Sequence, residues 1–357
     1  MILVVSNMYP SKEFPNYGVF VKNFVSELSE THEVQLIFLT KKIGKRAKLI
    51  AYLRFYFSVF RAYCSKNYEL TYVHYAGYNS PPILAGRLVR RLFNRKMTLI
   101  VNVHGSDVTP EKKLEERTNF LTKWLVKRAD LTIVPSSYFK EVVEKKYGKV
   151  QIFISASAGI NLDVFSPSSK GKNQQSFMLG YVSRIDEEKG WDLLILGFKR
   201  ILSYIPEAKL TIVGSGAQDE EANQLIHELH LEEYVNKQSI LPQNDLVDIY
   251  RSFDVFVFPS TRAGESLGLV GLEAMACGVP VIGSDFGGIK TYVESGKNGY
   301  LFTPKNQEEL IEKIITFYSL TQKQKRSMSK YAQETAHNYD SKKVNRELIQ
   351  KISSYIK

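Results

Sequence analysis

The sequence predicts an α/β protein made of two doubly wound parallel-sheet domains, and three observations carry that expectation. The chain has 357 residues, enough for two ordinary cores at about 150 residues per domain. Short apolar runs of strand length alternate with longer segments of helical periodicity, the pattern of a parallel sheet covered by helices on both faces. The alternation is interrupted by a polar stretch of linker composition at residues 166–175 and then restarts.

Residues 2–5 and 34–39 form the first two apolar runs. Between them Val19, Phe20, Phe24, Val25 and Leu28 are spaced for a helix, so the chain opens strand, helix, strand. Runs at 70–73, 99–103, 131–134 and 152–154 extend the first sheet. After the linker, runs at 177–182, 209–213, 255–258 and 279–282 each precede a segment that can be helical, which makes the second half another Rossmann-like unit. From about Glu334 to Lys357 the chain is polar, with Val344, Leu348, Ile349, Ile352 and Ile356 spaced for a closing amphipathic helix. The expected division is 1–168, 175–335 and a terminal segment 336–357 that packs back toward the first domain.

Apolar residues make up 44% and charged residues 24% of the chain, which excludes a disordered composition. No window reaches about 18 uninterrupted apolar residues, and the opening Met1-Ile2-Leu3-Val4-Val5-Ser6 lacks the features of a signal peptide, so the expected compartment is the cytosol. Cys64 and Cys277 stand far apart without metal-ligand spacing, so neither a disulfide framework nor a zinc site is expected. The net charge of +11 is unevenly placed. Residues 1–165 carry 25 Lys/Arg and 13 Asp/Glu, a net of +12, which leaves −1 for the remainder. Such asymmetry indicates an anionic partner for the first half: a membrane surface, a nucleic acid or a phosphorylated substrate.

The most informative stretch runs Pro259-Ser260-Thr261-Arg262-Ala263-Gly264-Glu265-Ser266-Leu267-Gly268-Leu269-Val270-Gly271-Leu272-Glu273. A strand, a Pro/Ser/Gly loop and an Ala-rich helix aim a helix N-terminus outward from the carboxyl edge of a sheet, where ligands bind. Backbone N–H groups near Gly268, Leu269 and Val270 favour a phosphate there. Glu273, a turn inside the helix, is placed to accept from a vicinal diol, and Glu265 to reach the far end of an extended ligand; a ribose, a diphosphate and a sugar make such a ligand. Glu273 lies in an otherwise apolar run, where an unpartnered carboxylate is costly, so a functional role outweighs a solvated surface one. Arg184 and Lys189 share one strand-to-helix loop and together can neutralise a diphosphate leaving group. Salt bridges to Asp186, Glu187 and Glu188 are their ordinary alternative. Gly214 and Gly216, in the turn after the next strand, offer a backbone wall for a nucleotide base.

With these motifs in hand, the second half resembles the nucleotide-sugar-binding domain of glycosyltransferase family 4, retaining enzymes of the GT-B architecture, in which two Rossmann-like domains face one another across a cleft. The resemblance rests on Glu265 and Glu273, Arg184 and Lys189, Pro259-Ser260, the run Glu273-Ala274-Met275-Ala276-Cys277-Gly278-Val279-Pro280-Val281, and Gly287-Gly288 ahead of Gly299. In the first half, the loop 10–18 ending in Gly18 matches the family's glycine-containing loop near the diphosphate and acceptor. His104-Gly105-Ser106-Asp107 matches its H-G-x-D site, whose histidine lies beside the donor sugar. The resemblance implies Glu265 and His104 as catalytic candidates. It also implies Glu265, Ser266, Leu267 and Gly268 at the donor sugar, Glu273 at the ribose, Gly214 and Gly216 at the base, and Arg184, Lys189, Leu269, Val270 and Gly18 at the diphosphate. Ser183, Ser157-Ala158 and Ser266-Leu267 depart from the usual pattern; the last change bears on donor identity.

The expected reaction is transfer of a sugar from a nucleotide diphosphate-sugar, such as a UDP- or GDP-sugar, to an acceptor hydroxyl with retention. No D-x-D occurs, so no metal and no cofactor is expected, with the two cations and the helix N-terminus supplying positive charge instead. His227-Glu228-Leu229-His230 lacks H-E-x-x-H spacing and reads as a surface helix. Between Val34 and Tyr68 there are eight Lys/Arg and no acids, interleaved with aromatic and aliphatic residues, and Arg87, Arg90, Arg91, Arg95 and Lys96 add a second cluster. This favours adsorption to an anionic bilayer over a merely solvated face, and no nucleic-acid motif accompanies the charge. By analogy the setting is bacterial capsule, exopolysaccharide or lipopolysaccharide assembly on a lipid-linked or polysaccharide acceptor, at the inner face of the cytoplasmic membrane. A nucleotide-sugar epimerase of similar fold and a degenerate nucleotide-sugar-binding protein are the alternatives.

Overall fold

A computed structural model describes residues 1–15, 17–65, 68–93, 96–110, 113–168 and 176–356. Asn16 of the glycine-containing loop, Arg95 of the second basic cluster and most of the expected linker, 169–175, lie outside the described residues.

The chain divides into two compact units, Met1–Ala158 with Val344–Lys357, and Gly159–Lys343. The division falls ahead of the polar stretch. Residues from Gly159 onward are held in the second unit: Ile160 pairs with the backbone around Tyr339 and Ser341, and Arg251 donates to the Ser166 carbonyl at 2.8 Å.

The first unit runs β1 (Ile2–Tyr9), α1 (Val19–Ser29), β2 (Val34–Thr40), α2 (Lys45–Ser65), β3 (Leu70–His74), α3 (Ala76–Leu92), β4 (Thr98–Asn102), α4 (Lys113–Val126), β5 (Leu131–Val134), α5 (Ser137–Tyr147) and β6 (Ile152–Ile154). Its strands are all parallel, in the order β2-β1-β3-β4-β5-β6. Alternate strand residues pack on opposite faces. Leu3, Val5, Val73, Leu99 and Val101 point to one core, and Ile2, Val4, Tyr72, Ile100 and Ile133 to the other.

The second unit runs β7 (Met178–Val182), α6 (Trp191–Ile201), β8 (Lys209–Val213), α7 (Asp219–Glu228), β9 (Val235–Gln238), α8 (Gln243–Ser252), β10 (Val255–Phe258), α9 (Leu269–Ala276), β11 (Val281–Ser284), a 3-10 turn Gly287–Thr291, β12 (Gly299–Phe302), α10 (Gln307–Tyr318) and α11 (Gln322–His337). Its parallel order is β12-β11-β10-β7-β8-β9. The strand direction of winding reverses between β1 and β3 in one sheet and between β7 and β10 in the other. Each reversal opens a crevice at the carboxyl ends of the strands.

The single closing helix expected from 334 onward is two. α11 ends at His337, and α12 (Ser341–Ser353) follows a break in which Ile160 N–H donates to the Tyr339 carbonyl and Ser341 N–H to the Ile160 carbonyl. From Val344 the chain belongs to the first unit, where Leu348 and Ile352 pack with Ile2, Val4 and Tyr72. Asn345 Nδ2 also donates to Glu27 Oε1 at 2.8 Å.

Candidate active site

In the second unit the loops after β7 and β10 flank the switch point, and they carry Arg184, Lys189 and Glu265. Lys189 Nζ lies 2.5 Å from Glu265 Oε2, and Ser260 Oγ is 3.3 Å from the same oxygen. Both charged side chains are largely removed from solvent, at 7% and 16% exposure. The pair locks the two loops together. A backbone bond reinforces this, Thr261 N–H donating to the Glu188 carbonyl at 2.8 Å, while Gly288 N–H, in the turn after β11, holds the Glu265 carbonyl at 2.7 Å. Beneath the loop, the buried Tyr181 hydroxyl donates to the Lys189 carbonyl at 3.3 Å.

Arg184 has the ordinary partner that its sequence neighbours offered. Its guanidinium is 2.6 Å from Asp186 Oδ2, and its side chain is 52% exposed. An ion pair this open to water is worth little, so exchanging Asp186 for a phosphate is inexpensive.

α9 begins at Gly268, which caps it in the left-handed conformation with φ 79. The buried Tyr292 hydroxyl donates to the Gly268 carbonyl at 2.8 Å and fixes the cap. Leu269 and Val270 open the helix, so their N–H groups have no intrahelical acceptor, and both residues are only partly covered. The result is a positive dipole end beside the Lys189 loop.

One turn along, Glu273 Oε2 accepts from the Tyr250 hydroxyl at 3.0 Å. Burial pushes the Glu273 carboxyl above the usual range, with the bonds from Tyr250 and Gln243 opposing. Glu273 is partly covered as a residue, and its carboxylate is a shielded acceptor in an otherwise apolar helix.

Other expected positions have structural tasks as well. Leu267 is buried, at 2% exposure, and its backbone packs closely against Gly288, where a Cβ would stand 2.3 Å from the Leu267 Cα. Gly214 and Gly216 follow β8 and pack against the loop after β7. A Cβ at Gly214 would stand 1.8 Å from the Ser183 carbonyl oxygen, and one at Gly216 2.2 Å from the Ile185 carbonyl oxygen. Both glycines therefore serve the placement of Arg184. His230 follows α7 and His227 pairs with Glu232, away from any metal-like cluster among the described residues.

In the first unit, Gly18 caps α1 with φ 77 behind the end of β1, where a Cβ would collide with Met8 at 2.7 Å. His104 follows β4. The loop it opens is gathered by Asp107, whose carboxylate accepts from the N–H groups of His104, Gly105 and Ala76, each at 3.0 Å. His104 Nε2 is 3.3 Å from His74 Nδ1, so one ring donates and the other accepts. Burial holds His104 down to about 4, and burial with the neighbouring His104 holds His74 well below the ordinary range. Both are neutral at physiological pH.

His74, Tyr181, Tyr250 and Tyr292 were not singled out by sequence reasoning. His74 ends an apolar run and the tyrosines sit in unremarkable segments; only their hydroxyl and ring contacts reveal their roles.

Two doubly wound sheets of this kind, the second with a cationic loop and a helix N-terminus at its switch point, define a protein of the GT-B class. Sucrose-phosphate synthase from Thermosynechococcus elongatus has the same fold, with a TM-score of 0.78 at 21% identity over 99% of this chain and 98% of that one. HepE of Anabaena, solved in complex with UDP-glucose, gives a TM-score of 0.76 at 20% identity over 99% and 100% of the two chains. Residues 165–335 match the family model for glycosyl transferases group 1, and residues 11–153 the model for Glycosyltransferase Family 4. The N-acetyl-alpha-D-glucosaminyl L-malate synthase of Bacillus anthracis is 28% identical over 243 residues, 66% of this chain and 61% of that protein. The first curated relatives are matched over 44% to 61% of their own length. The chain belongs to glycosyltransferase family 4, among the group 1 glycosyl transferases.

Proposed function

We propose that the protein transfers a sugar from a nucleotide diphosphate-sugar to an acceptor hydroxyl with retention at the anomeric carbon. The observation that carries this reading is the grouping of Lys189, Glu265 and the α9 N-terminus at one switch point, with Glu273 a turn away. In this reading Glu273 accepts from the ribose hydroxyls, and the ligand's diphosphate exchanges for Asp186 on Arg184. Lys189 and the Leu269 and Val270 N–H groups take up the charge that develops as the bond from the anomeric carbon to the diphosphate oxygen breaks. The acceptor oxygen bonds to that carbon on the same face and passes its proton to the departing phosphate oxygen. Glu265, with the Ser266–Gly268 backbone, holds the donor sugar, and His104 is assigned to the same sugar. Positive charge from protein groups makes the transfer metal-independent. Gly214 and Gly216 border the base.

The acceptor we propose is a lipid-linked or polysaccharide intermediate of bacterial cell-surface glycan assembly, reached by adsorption to the inner face of the cytoplasmic membrane. In support, α2 buries Phe55, Val59 and Tyr63 but leaves Leu49, Ile50, Leu53 and Phe57 exposed among its basic residues. No described helix is long and apolar enough to cross a membrane.

The test is incubation with UDP- and GDP-sugars, with and without a bacterial lipid extract, followed by NMR of the product in the presence and absence of chelator. An α-configured donor is expected to give an α-linked product in either case. A β-linked product overturns retention, chelator-sensitive activity restored by magnesium or manganese overturns metal independence, and conversion of the donor without acceptor indicates an epimerase.

A further inference from the structure

A cavity of about 1110 Å³ lies in the first unit at the opposite edge of the sheet from His74 and His104. Its lining residues Glu69, Thr98 and Asp130 stand at the amino ends of β3, β4 and β5. The two edges are separated by the length of a five-residue strand, about 16 Å. None of its residues belongs to the motifs discussed above for donor binding.

The lining is strongly cationic. Arg87, Arg90, Arg91, Lys96 and Arg128 face two acids, Glu69 and Asp130. Both acids are already engaged: Asp130 Oδ2 accepts from Leu99 N–H at 2.8 Å, and Glu69 Oε1 from the Met1 amino group at 2.6 Å. No ion pair joins a described carboxylate to Arg87, Arg91 or Lys96. The floor is preorganised, since buried Arg90 donates through Nη1 to the Tyr63 carbonyl at 3.0 Å. Arg87 Nη1 is buried there without a hydrogen-bond partner among the described residues, beside the buried Tyr63 hydroxyl, which interacts with the Arg87 side chain. A buried polar atom left unpaired is costly, and like charges gathered in a recess repel. An anion with several acceptor oxygens relieves both costs.

We infer that this cavity is a binding site for a phosphate-bearing anion, a phosphomonoester or diphosphate, held by the arginine forks of α3 and distinct from the donor site of the second unit. Arginine suits this chemistry because its parallel N–H groups match phosphate oxygens in pairs. The same group can come from a lipid headgroup or from a soluble phosphate. Leu88, Leu92 and Phe93 are exposed at the end of α3 and Trp124 on α4, an apolar rim beside a cationic recess.

Trp124 lines the cavity, and the chain's other tryptophan, Trp191, belongs to the second unit. In the Trp191→Phe protein, Trp124 is the one tryptophan and lies at the cavity, and the Arg91→Glu and Arg87→Gln variants separate its response from that of diphosphate bound near Arg184. Two probes are titrated: inorganic pyrophosphate, and phosphatidylcholine vesicles containing phosphatidic acid. A saturable change with either probe, weakened about tenfold or more by exposed Arg91→Glu and by Arg87→Gln, supports the site. Response to pyrophosphate alone assigns a soluble ligand, and response to vesicles a headgroup. No change with either probe, or an equal change in folded Arg91→Glu protein, overturns it.

Discussion

Lys189 Nζ and Glu265 Oε2 meet at 2.5 Å across 76 residues of sequence, tying the loop after β7 to the loop after β10. The lysine assigned to the diphosphate and the glutamate assigned to the sugar thus neutralise one another before any ligand arrives. Removing one partner of a shielded pair leaves an uncompensated charge. Lys189→Met is expected to lower unfolding free energy by about 3 kcal/mol, and Lys189→Met with Glu265→Gln to recover most of it. Urea unfolding of the wild type and both variants checks this.

Glu273 is held with its carboxyl pushed up by burial, so its ionised form is a cost to the folded state at neutral pH. That cost is absent below the ordinary glutamate range and grows as pH rises through the raised folded value. Glu273→Gln should therefore raise Tm at pH 7 while weakening donor binding by about 10- to 100-fold through loss of a charged acceptor. Calorimetric scanning with and without nucleotide reads both effects.

The His74–His104 pair gives the first unit an acid-sensitive point. An unfolded chain takes up these protons near 6.5, whereas His104 resists protonation down to about 4 and His74 also lies well below 6.5. In that window the unfolded state binds more protons, so stability falls as pH drops from about 6.5 to about 4 and is indifferent to this pair above it. The urea midpoint should decline over this range in the wild type and more gently in His74→Gln.

Gly214, at φ 148, leaves no room for a side chain against the Ser183 carbonyl. Gly214→Ala should displace the Arg184 loop, cost on the order of 1–3 kcal/mol in stability and weaken diphosphate binding. Thermal unfolding together with UDP titration separates the two losses.

Most strands were legible because the strands of a doubly wound sheet are buried on both faces and read as continuous apolar runs, whereas the switch points follow only from the strand order. β9, Val-Asn-Lys-Gln at a sheet edge, has no such run, and β12, Gly-Tyr-Leu-Phe at the opposite edge, opens on glycine and is only half buried. Glu265, Glu273, Arg184, Lys189 and His104 were legible because charged or imidazole groups beside strand ends invite a chemical reason. What escaped was their support. Tyr250, Tyr181 and Tyr292 act through single hydroxyl bonds over distances in sequence that spacing cannot reveal, and the α11–α12 break depends on a backbone pairing with Ile160.

The central claim, that a nucleotide diphosphate-sugar binds at the β7–β10 switch point, is tested most directly by thermal stabilisation of the full chain. UDP-, GDP- and ADP-sugars are compared on the wild type, Arg184→Ala and Glu273→Ala. One nucleotide class is expected to raise the Tm of the wild type, with the rise lost in both variants. A rise that survives unchanged in both variants, or no rise with any nucleotide sugar, would contradict it.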